Sequence, residues 1–476
     1  MTLISARALD VMLDGWRGTG ASPAYEALAD RVRLLILDGR IGLGVRLPAE
    51  RDLAAQLGVS RTTVAAAYAD LRERDYLSSV RGSGSVARQP HAAGVTPESP
   101  ATGLLDFSKA TLPAVPELAA SALVAAEQLP AYFGESGFDL VGIPALRQAL
   151  ADRYTARGLP TEADQIMVTL GAQHAIALLS RTLIARGDRA LIETPSYPHA
   201  MEALKSAGAR LVPVPVTARD GWDAEALEQA IQRTSPSIGY LMPDFHNPTG
   251  RSMSAGLRER TLELADQHGT TLIADETMAE LYIDGNERML PFAAYGRVDT
   301  QAILIGSVSK VVWGGVRVGW IRADRSVIAR LVRERSSGDL GTPALEQLVV
   351  ADLLPDYDSL LEYRRRQLRA GRDFLAAQLV EKIPEWDVPR VAGGLTTWVN
   401  LGAPVSSQLT LAARTEGLQI AAGPRFGIDG AFERFLRIPI SYSEADTVRA
   451  VDALAAAWKN VGRHSLAESG WLAEVV

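Results

Sequence analysis

Cysteine does not occur anywhere in the 476-residue chain. Its absence excludes a disulfide framework and any zinc site built on thiolates, and no metal centre is predicted. A protein that makes no use of disulfides is typical of a reducing compartment, so the cytoplasm is the expected location.

Long hydrophobic runs are lacking as well, because no stretch of eighteen apolar residues occurs in the sequence. The N-terminal stretch MTLISARALDVMLDGW has acidic residues within its apolar part and no basic segment leading a long apolar one. Neither a membrane span nor a secretory signal is predicted. The length suggests two or three domains, and a hydrophobic content of 47% is ordinary for a globular protein.

Basic residues are fewer than acidic ones over the whole chain, which has a net charge of −7. Residues 1–90 nevertheless hold 12 Lys or Arg against 10 Asp or Glu, a net +2, so the remaining residues carry −9. This difference in net charge is mild, and its sign favours the N-terminal part as the part that binds a polyanion.

A linker divides the sequence at residues 88–103, which read RQPHAAGVTPESPATG. Three prolines stand there among Gly, Ser and Thr, and neither apolar period is present. The linker separates an N-terminal domain over residues 1–87, the N-domain, from a larger domain over residues 104–476, the body.

The N-domain is predicted to contain three helices and a hairpin. Ser22–Pro23 is a start signal for the first helix and Gly39 is a stop, and the second helix ends at Gly58. The third helix begins at Ser60, a suitable N-cap, and residues 76–87 read as two short strands joined by a glycine turn. This order predicts a winged helix-turn-helix.

The first turn of the third helix is polar, as contact with the major groove of DNA requires. Arg61 can donate bidentate hydrogen bonds to a guanine edge or a phosphate, and the hydroxyls of Thr62 and Thr63 can bind phosphates. Arg51 on the second helix and Arg81 at the wing tip would flank this contact. The alternative is a small helical domain with solvated arginines, which the spacing of cap, helix and wing disfavours.

Residues 47–86 resemble the DNA-binding domain of the GntR family of bacterial regulators, and they read LPAERDLAAQLGVSRTTVAAAYADLRERDYLSSVRGSGSV. The resemblance implies that the residues touching operator DNA are Arg51, Ser60, Arg61, Thr62, Thr63, Arg81 and Gly82. An arginine that is common early in the recognition helix of the family is replaced here by Ala65, which removes one such contact.

Short apolar strands alternate with amphipathic helices in the body. The strands read QIMVTL, RALIET, ARLVPV, SIGYLM, TTLIAD, QAILIG and VRVGWI. Such alternation predicts an α/β fold with a mostly parallel sheet covered on both faces, in which ligands bind at the carboxyl ends of the strands.

Polar residues fall at those strand ends. Gly171 leaves a strand and opens a helix, where the N–H groups of Ala172 and Gln173 can receive a phosphate. Asp275 ends the strand TTLIAD. Each has a plainer explanation, since a glycine before a helix is often only a turn and an aspartate there commonly caps the next helix.

Lys310 stands within IGSVSKVVWGGVRVGW, residues 305–320, a stretch that otherwise reads as buried. Burial disfavours an ammonium, and an amine with a lowered pKa forms Schiff bases readily. Arg317, seven positions later, can fix a phosphate bidentately. A solvated surface lysine and a strand-edge arginine are the alternatives.

Together these residues describe one ligand, with an aldehyde for Lys310, a phosphate for residues 171–173 and a ring nitrogen for Asp275. Further phosphate ligands would be Ser307, Ser309 and Arg317. Pyridoxal 5'-phosphate has all three groups, and a carboxylate beside its pyridine nitrogen keeps the ring an electron sink.

Three further residues fit the same ligand. Asn247, in a Pro-Gly turn, can donate to the phenolic oxygen, Tyr197 can stack on the pyridine ring, and Arg437 can clamp a carboxylate. An Asx-type turn, ordinary core packing and an exposed strand charge are the respective alternatives.

The order of NPTG, strand-end Asp, SVSK and late Arg resembles the fold type I aminotransferases from about residue 104 to 460. With a GntR-like N-domain, this body resembles the MocR-type (GabR/PdxR-like) subfamily of GntR regulators. The resemblance implies the pyridoxal-phosphate-dependent transferase fold type I, with a large, mostly parallel mixed sheet and a smaller C-terminal α+β part. The implied roles are Schiff-base lysine for Lys310, ring-nitrogen partner for Asp275, phenolic-oxygen donor for Asn247, stacking ring for Tyr197, phosphate ligand for Arg317 and carboxylate clamp for Arg437.

Two departures from the aminotransferase pattern bear on activity. Thr277 and Met278 stand where the family usually has a tyrosine that helps to hold the phenolic oxygen, and Leu170 begins the phosphate loop where Ser or Thr is frequent. Both changes leave cofactor binding intact while weakening control of the Schiff-base proton, which favours sensing over turnover.

We therefore expect a transcriptional regulator that holds pyridoxal 5'-phosphate on Lys310 as an internal aldimine. An amine, an amino acid or the free cofactor would change its binding to double-stranded operator DNA. The alternatives are a working aminotransferase with a vestigial N-domain and a DNA-binding protein whose body only dimerises. The resemblance also implies a crossed homodimer, in which each N-domain packs on the partner's body and a repeated or palindromic site is read.

Overall fold

The computed structural model describes residues 3–13, 16, 23–37, 40–42, 44–80, 84–88, 104–285, 289–297, 302–428 and 430–461. Its helices are α1 Ala6–Met12, α2 Ala24–Leu37, α3 Glu50–Leu57, α4 Arg61–Glu73, α5 Leu118–Gln128, α6 Pro144–Ala156, α7 Ala172–Leu183, α8 Pro198–Ser206, α9 Ala224–Thr234, α10 Ala255–His268, α11 Arg325–Arg335, α12 Ala344–Leu353, α13 Tyr357–Lys382, α14 Ser406–Thr415 and α15 Glu444–Asn460. Its strands are β1 Leu77–Val80, β2 Gly84–Ala87, β3 Leu105–Asp106, β4 Ile166–Thr169, β5 Arg189–Thr194, β6 Arg210–Thr217, β7 Gly221–Trp222, β8 Ile238–Leu241, β9 Thr271–Asp275, β10 Ala302–Ser307, β11 Gly319–Arg322, β12 Thr396–Asn400, β13 Leu418–Gln419, β14 Ala421–Ala422 and β15 Phe435–Pro439. None of the helices in the described ranges combines the length and the apolar character of a membrane span.

The N-domain has the predicted helix-turn-helix and wing. Helices α2 and α3 precede the recognition helix α4, which Ser60 caps by accepting a hydrogen bond from the Thr63 N–H at 3.0 Å. Helix α3 ends at Gly58, whose φ of 63° favours a glycine, and β1 and β2 pair antiparallel as the wing. Ser22, Gly39, Arg81, Gly82 and linker residues 89–103 lie outside the described residues, so the domain boundaries stay predictions.

Helix α1 is not predicted by the patterns above. Ser5 caps it by accepting a hydrogen bond from the Ala8 N–H at 3.1 Å. Leu9 and Leu13 are fully buried in the core of the N-domain, and Gln56 of α3 donates to Asp10 at 2.8 Å. The N-domain therefore starts earlier than its three predicted helices.

All seven predicted strands of the body join one eight-stranded sheet in the order β4-β11-β10-β9-β8-β5-β6-β7. Neighbours from β10 to β6 run parallel, whereas β11 and β7 run in the opposite direction. Every residue of β4, β8 and β10 is buried, as expected for strands covered by helices on both faces. The carboxyl ends of the parallel strands therefore open onto one edge of the sheet.

A smaller α+β part follows at the C-terminal end, as predicted. Its antiparallel sheet has the order β12-β15-β14 and packs with α13 to α15. The first strand of the body, β3, pairs parallel with β13 of this part. The chain thus enters the body beside its C-terminal part.

The N-domain packs on the body of the same chain through α14. Leu411 of α14 belongs to the apolar core of the N-domain. Glu433 accepts hydrogen bonds from Arg40 at 2.5 Å, from Arg31 at 3.4 Å and from the N–H of Ser407 at 3.0 Å. One carboxylate thus joins two arginines of the N-domain to the first turn of α14.

Candidate cofactor site and DNA interface

A loop between β4 and α7 is shaped for a phosphate. Gly171, with φ at 84°, immediately precedes α7, and a Cβ on Gly319 would lie 2.7 Å from the Gly171 carbonyl carbon. Arg317 donates to the Leu170 carbonyl at 2.7 Å, and its guanidinium lies against Gly171. Only glycines permit this close approach, which leaves the first N–H groups of α7 beside a guanidinium.

Hydroxyl groups line the same loop. The Ser307 and Ser309 oxygens lie 2.5 Å apart, and the Ser309 N–H donates to Ser307 Oγ at 3.2 Å. Ser307 also donates to the Val318 carbonyl at 3.1 Å. Hydroxyls, backbone N–H groups and a guanidinium together form the donor set that binds phosphate.

Asp275, at the end of β9, is buried. Tyr240 donates to its Oδ2 at 2.7 Å and the Thr277 N–H donates to its Oδ1 at 3.0 Å. Burial raises the pKa of Asp275, while these two hydrogen bonds and the charge of Lys310 oppose the rise. A carboxylate held in this way suits a protonated ring nitrogen as its partner.

Lys310 is partly buried at the turn after β10, and its Nζ donates to the Ala110 carbonyl at 2.9 Å. Desolvation lowers the pKa of Lys310 to about 8, with further lowering by Arg437 and Arg317, whereas Asp275 opposes the shift. The alternative of a solvated surface lysine does not hold. An amine with this pKa is a competent nucleophile toward an aldehyde near neutral pH.

Arg437 is fully buried on β15, so it is not an exposed strand charge. Its Nη2 donates to the Ser108 carbonyl, and its guanidinium carbon lies 5.1 Å from the ring centre of Phe426. Among the described residues its Nε and Nη1 have no hydrogen-bond partner. Burial lowers the pKa of Arg437 to about 10. A buried guanidinium with open donors is suited to bind a carboxylate.

Asn247 and Tyr197 complete the set. Asn247 is buried, and among the described residues its Oδ1 has no hydrogen-bond partner. Tyr197 interacts electrostatically with Asp275 and Arg437, and burial, followed by Asp275, raises the pKa of its hydroxyl. These interactions link Tyr197 to Asp275 and Arg437, the two groups that also act on Lys310.

Two side chains that support the candidate cofactor site were not predicted from the sequence. Tyr240, the partner of Asp275, reads as a core aromatic within an apolar strand. His174 accepts a hydrogen bond from the Leu170 N–H at its Nδ1 at 3.1 Å, and its Nε2 lies 2.9 Å from Asp339. Burial lowers the pKa of His174, which keeps Nδ1 free to accept. His174 therefore supports the backbone of the phosphate loop.

The residues present fit pyridoxal 5'-phosphate. The glycine contact at Gly171 and Gly319 leaves backbone N–H groups open to a phosphate, and Asp275 offers a buried carboxylate. Lys310 offers an amine with a lowered pKa, and Arg437 offers open donors to a carboxylate. The assignment of each residue to an atom of the cofactor stays a prediction.

The N-terminal end of α4 forms an exposed polar surface. The side chains of Arg51 and Arg61 are 85% and 72% exposed, and Arg61 Nε lies 3.9 Å from Glu50. Ser60 Oγ lies 2.7 Å from Thr62 Oγ1 and 2.8 Å from Thr63 Oγ1. Both arginines are exposed enough to reach a nucleic acid, and each lies near a carboxylate, with Arg51 Nε 3.5 Å from Asp52. The hydroxyls are also engaged in capping the helix.

Two family models match separate parts of the chain. Residues 24–86 match the model for bacterial regulatory proteins of the gntR family, and residues 117–454 match the model for aminotransferase class I and II. An HTH-type transcriptional regulator of Escherichia coli K12, YdcR, is 29% identical over 87% of this chain and 94% of its own length.

Two of the similar proteins are enzymes, and each matches a smaller share of this chain than YdcR does. A 2-aminoadipate transaminase of Thermus thermophilus is 31% identical over 62% of this chain and 74% of its own length. The crystal structure of LysN, an α-aminoadipate aminotransferase of the same organism complexed with N-(5'-phosphopyridoxyl)-L-leucine, has a TM-score of 0.69. It is 29% identical and covers 75% of this chain and 93% of LysN.

The family matches assign DNA binding to the N-domain and pyridoxal 5'-phosphate to the body. The chain belongs to the class I and II aminotransferase family, and with its GntR N-domain it is a transcriptional regulator of the MocR type.

Proposed function

We propose that this regulator senses amino compounds through pyridoxal 5'-phosphate held on Lys310 and transmits the result to operator DNA. The observation that carries the proposal is the convergence of Lys310, Asp275 and Arg437 in one site, in a chain whose N-domain is docked on the same body. The chemistry supplied by the bound cofactor is reversible condensation of its aldehyde with primary amines.

Each side chain has one task in this scheme. Lys310 holds the aldehyde carbon, Asp275 holds the proton of the ring nitrogen, and Arg437 orients an effector through its carboxylate. Asn247 and Tyr197 hold the phenolic oxygen and the ring face. The phosphate is bound by Gly171, Ala172, Gln173, Ser307, Ser309 and Arg317.

Sensing is favoured over turnover by the residues that follow Asp275. Thr277 uses its backbone N–H to hold the Asp275 carboxylate, and Met278 is a buried thioether. Neither position offers the phenol that the aminotransferase pattern places there. With pyridoxal 5'-phosphate bound, a site without this phenol would control proton transfer poorly and would still allow exchange of one amine for another.

The DNA interface is assigned to Arg51, Ser60, Arg61, Thr62, Thr63, Arg81 and Gly82. Arg51 of α3 and Arg61 of α4 are exposed to solvent, and their charged side chains suit contact with phosphates and guanine edges. An effector amine or amino acid, or the free cofactor, changes the affinity of this surface for its operator.

A second copy of the chain is proposed to cover an apolar face of the body. The exposed apolar side chains that we assign to this face are Leu123, Val124, Phe133, Phe138, Leu340 and Leu345. Helix α5 buries only Ser121 and Ala125 within the single chain, so most of its apolar surface is left for another molecule. A homodimer would place two N-domains against a repeated or palindromic site.

The dimer is proposed to be crossed. Linker residues 89–103 can span at most about 50 Å, so the N-domain contacts described within one chain can be made on the partner's body instead. The same residues, Glu433 and Leu411, would then serve the interface between copies.

Reduction with borohydride tests the cofactor assignment. After incubation with pyridoxal 5'-phosphate, the reduced adduct should map by peptide mass spectrometry to Lys310. Labelling of surface amines alone, with no visible absorption band, would reject the proposal.

Arg61→Ala tests the DNA assignment in the same preparation. Gel shifts on a DNA fragment selected from a random pool should weaken by about tenfold or more, because one phosphate or base contact is lost. The matched control is Arg74→Ala at the other end of α4, which should bind DNA normally. Equal binding by both variants would contradict the assignment, and many turnovers of an amino acid with a keto acid would favour the enzyme instead.

A further inference from the structure

We propose that residues 107–110, the strap, report to the N-domain whether the Lys310 amine is free or condensed. This inference rests on the proposed function and specifies how its site is coupled to DNA binding. The strap follows the linker and β3 in the sequence, so it lies where the tether of the N-domain enters the body.

The strap carbonyls bind two cationic side chains of the site. Lys310 Nζ donates to the Ala110 carbonyl at 2.9 Å, and Arg437 Nη2 donates to the Ser108 carbonyl. Phe107, Ser108 and Ala110 are almost fully buried, so these carbonyls depend on the protein for their donors. A change at either cation therefore acts directly on the backbone of the strap.

Tyr442 also holds the strap in place. Its ring stacks on Phe107 with the ring centres 4.0 Å apart. Its hydroxyl contacts the carbonyls of Asp106 and Lys109, the latter at 3.1 Å. Tyr442 thus holds the strap at Phe107 and at Lys109. Of the contacts made by the strap, the hydrogen bond from Lys310 to Ala110 is the one that condensation of the Lys310 amine can remove.

Condensation of Lys310 removes that contact. A free amine has N–H groups that can donate to Ala110, whereas condensation with an aldehyde forms a C=N bond and releases water. At most one hydrogen then stays on the nitrogen, in place of the two or three of the free amine or ammonium. The buried Ala110 carbonyl loses its donor, which is unfavourable unless the strap moves. When an effector amine displaces Lys310, the free lysine can donate to Ala110 again.

A continuous set of contacts joins the strap to the N-domain. The Leu105 N–H donates to Gly417 at 2.8 Å, and the Phe107 N–H donates to Gln419 at 2.7 Å. Both acceptors directly follow α14, and Leu411 of α14 lies in the core of the N-domain. Movement of the strap can therefore be transmitted to α14, the helix on which the N-domain packs.

Hydrogen exchange with two forms of the cofactor tests the strap. Pyridoxal 5'-phosphate condenses with Lys310, whereas pyridoxamine 5'-phosphate has the same ring and phosphate but no aldehyde. In the full-length chain, pyridoxal 5'-phosphate should accelerate amide exchange in a peptide covering residues 104–112 by about fivefold, the factor of one typical hydrogen bond. Pyridoxamine 5'-phosphate should leave exchange at the ligand-free rate, and α13 serves as the internal reference.

The outcomes separate this inference from the proposed function. If pyridoxal 5'-phosphate gives a visible absorption band but both ligands change exchange of the strap equally, the strap does not report on Lys310. If no visible band forms, the proposed function itself fails.

Two variants of Lys310 provide an independent test. Lys310→Ala removes the donor to Ala110 and should give fast exchange of residues 104–112 in every state. Lys310→Arg keeps N–H donors but has no amine that condenses, so exchange should stay slow with and without pyridoxal 5'-phosphate. Wild-type exchange in Lys310→Ala, or cofactor-dependent exchange in Lys310→Arg, would overturn the inference.

Discussion

At the scale of single residues, the surroundings of Lys310 set the pH at which it can react. Burial, Arg437 and Arg317 lower its pKa to about 8, so the neutral amine becomes the main form above that pH. Below it the ammonium dominates and does not attack an aldehyde.

The rate of cofactor loading should therefore rise about tenfold between pH 7 and pH 9 and then level off. Growth of the visible absorption band after mixing with pyridoxal 5'-phosphate measures this rate. A surface lysine with an ordinary pKa would instead gain about a hundredfold over the same interval and keep rising beyond pH 10. That second profile would show that Lys310 is solvated.

His174 gives a second prediction at this scale. His174→Leu removes the acceptor of the Leu170 N–H, and a donor left unpaired in the phosphate loop should weaken binding of pyridoxal 5'-phosphate by about tenfold. His174→Gln keeps an acceptor at similar reach and should bind within about twofold of wild type. Titration of the visible band gives both affinities, and equal loss in the two variants would remove His174 from this role.

At the scale of elements, the docking of the N-domain depends on Glu433. Its carboxylate and Arg40 are largely buried, with side chains 11% and 8% exposed. Glu433→Gln removes the negative charge that accepts from Arg40 and Arg31, which should weaken docking by about 2 kcal/mol, the size of one charged hydrogen bond. The N-domain should then be released faster by limited proteolysis.

The matched control for this prediction is Glu444→Gln, an exposed glutamate in the first turn of α15. It should be cleaved at the wild-type rate. Release of the N-domain at the same rate in both variants would show that Glu433 does not hold the N-domain.

Most elements could be predicted from the sequence, because apolar period and turn residues mark them directly. The seven strands of the main sheet are buried runs bounded by turns, and Ser60 and Gly58 mark helix ends with the caps that the structure has. Helix α1 was not predicted because it is only seven residues long. Its Ser5 cap was the signal that could have identified it.

The supporting parts of the site were harder to predict for a different reason. The strap acts through backbone carbonyls, which carry no residue signature, and its partners Lys310 and Arg437 are 200 and 329 residues away in sequence. Tyr240 resembles any aromatic residue of a buried strand until Asp275 is placed beside it. Charged residues at strand ends, by contrast, were visible because burial makes them costly.

At the scale of the whole molecule, the exposed apolar face of the body should hold a dimer together. Leu123→Glu combined with Phe133→Glu places two charges on this face and should shift sedimentation toward the monomer, because a buried unpaired charge is costly. Val380→Glu, at a similarly exposed apolar residue of α13, is the control and should leave the dimer intact. A dimer that survives the double substitution would place the interface elsewhere.

In the proposed regulator, the chemical state of Lys310 controls the DNA affinity of a distant domain. Operator affinity of the full-length protein, titrated with pyridoxal 5'-phosphate and separately with pyridoxamine 5'-phosphate, tests it most directly. We expect the two ligands to give different operator affinities in the wild type and the same affinity in Lys310→Ala. Identical operator affinities in the wild type, with both ligands bound, would contradict it.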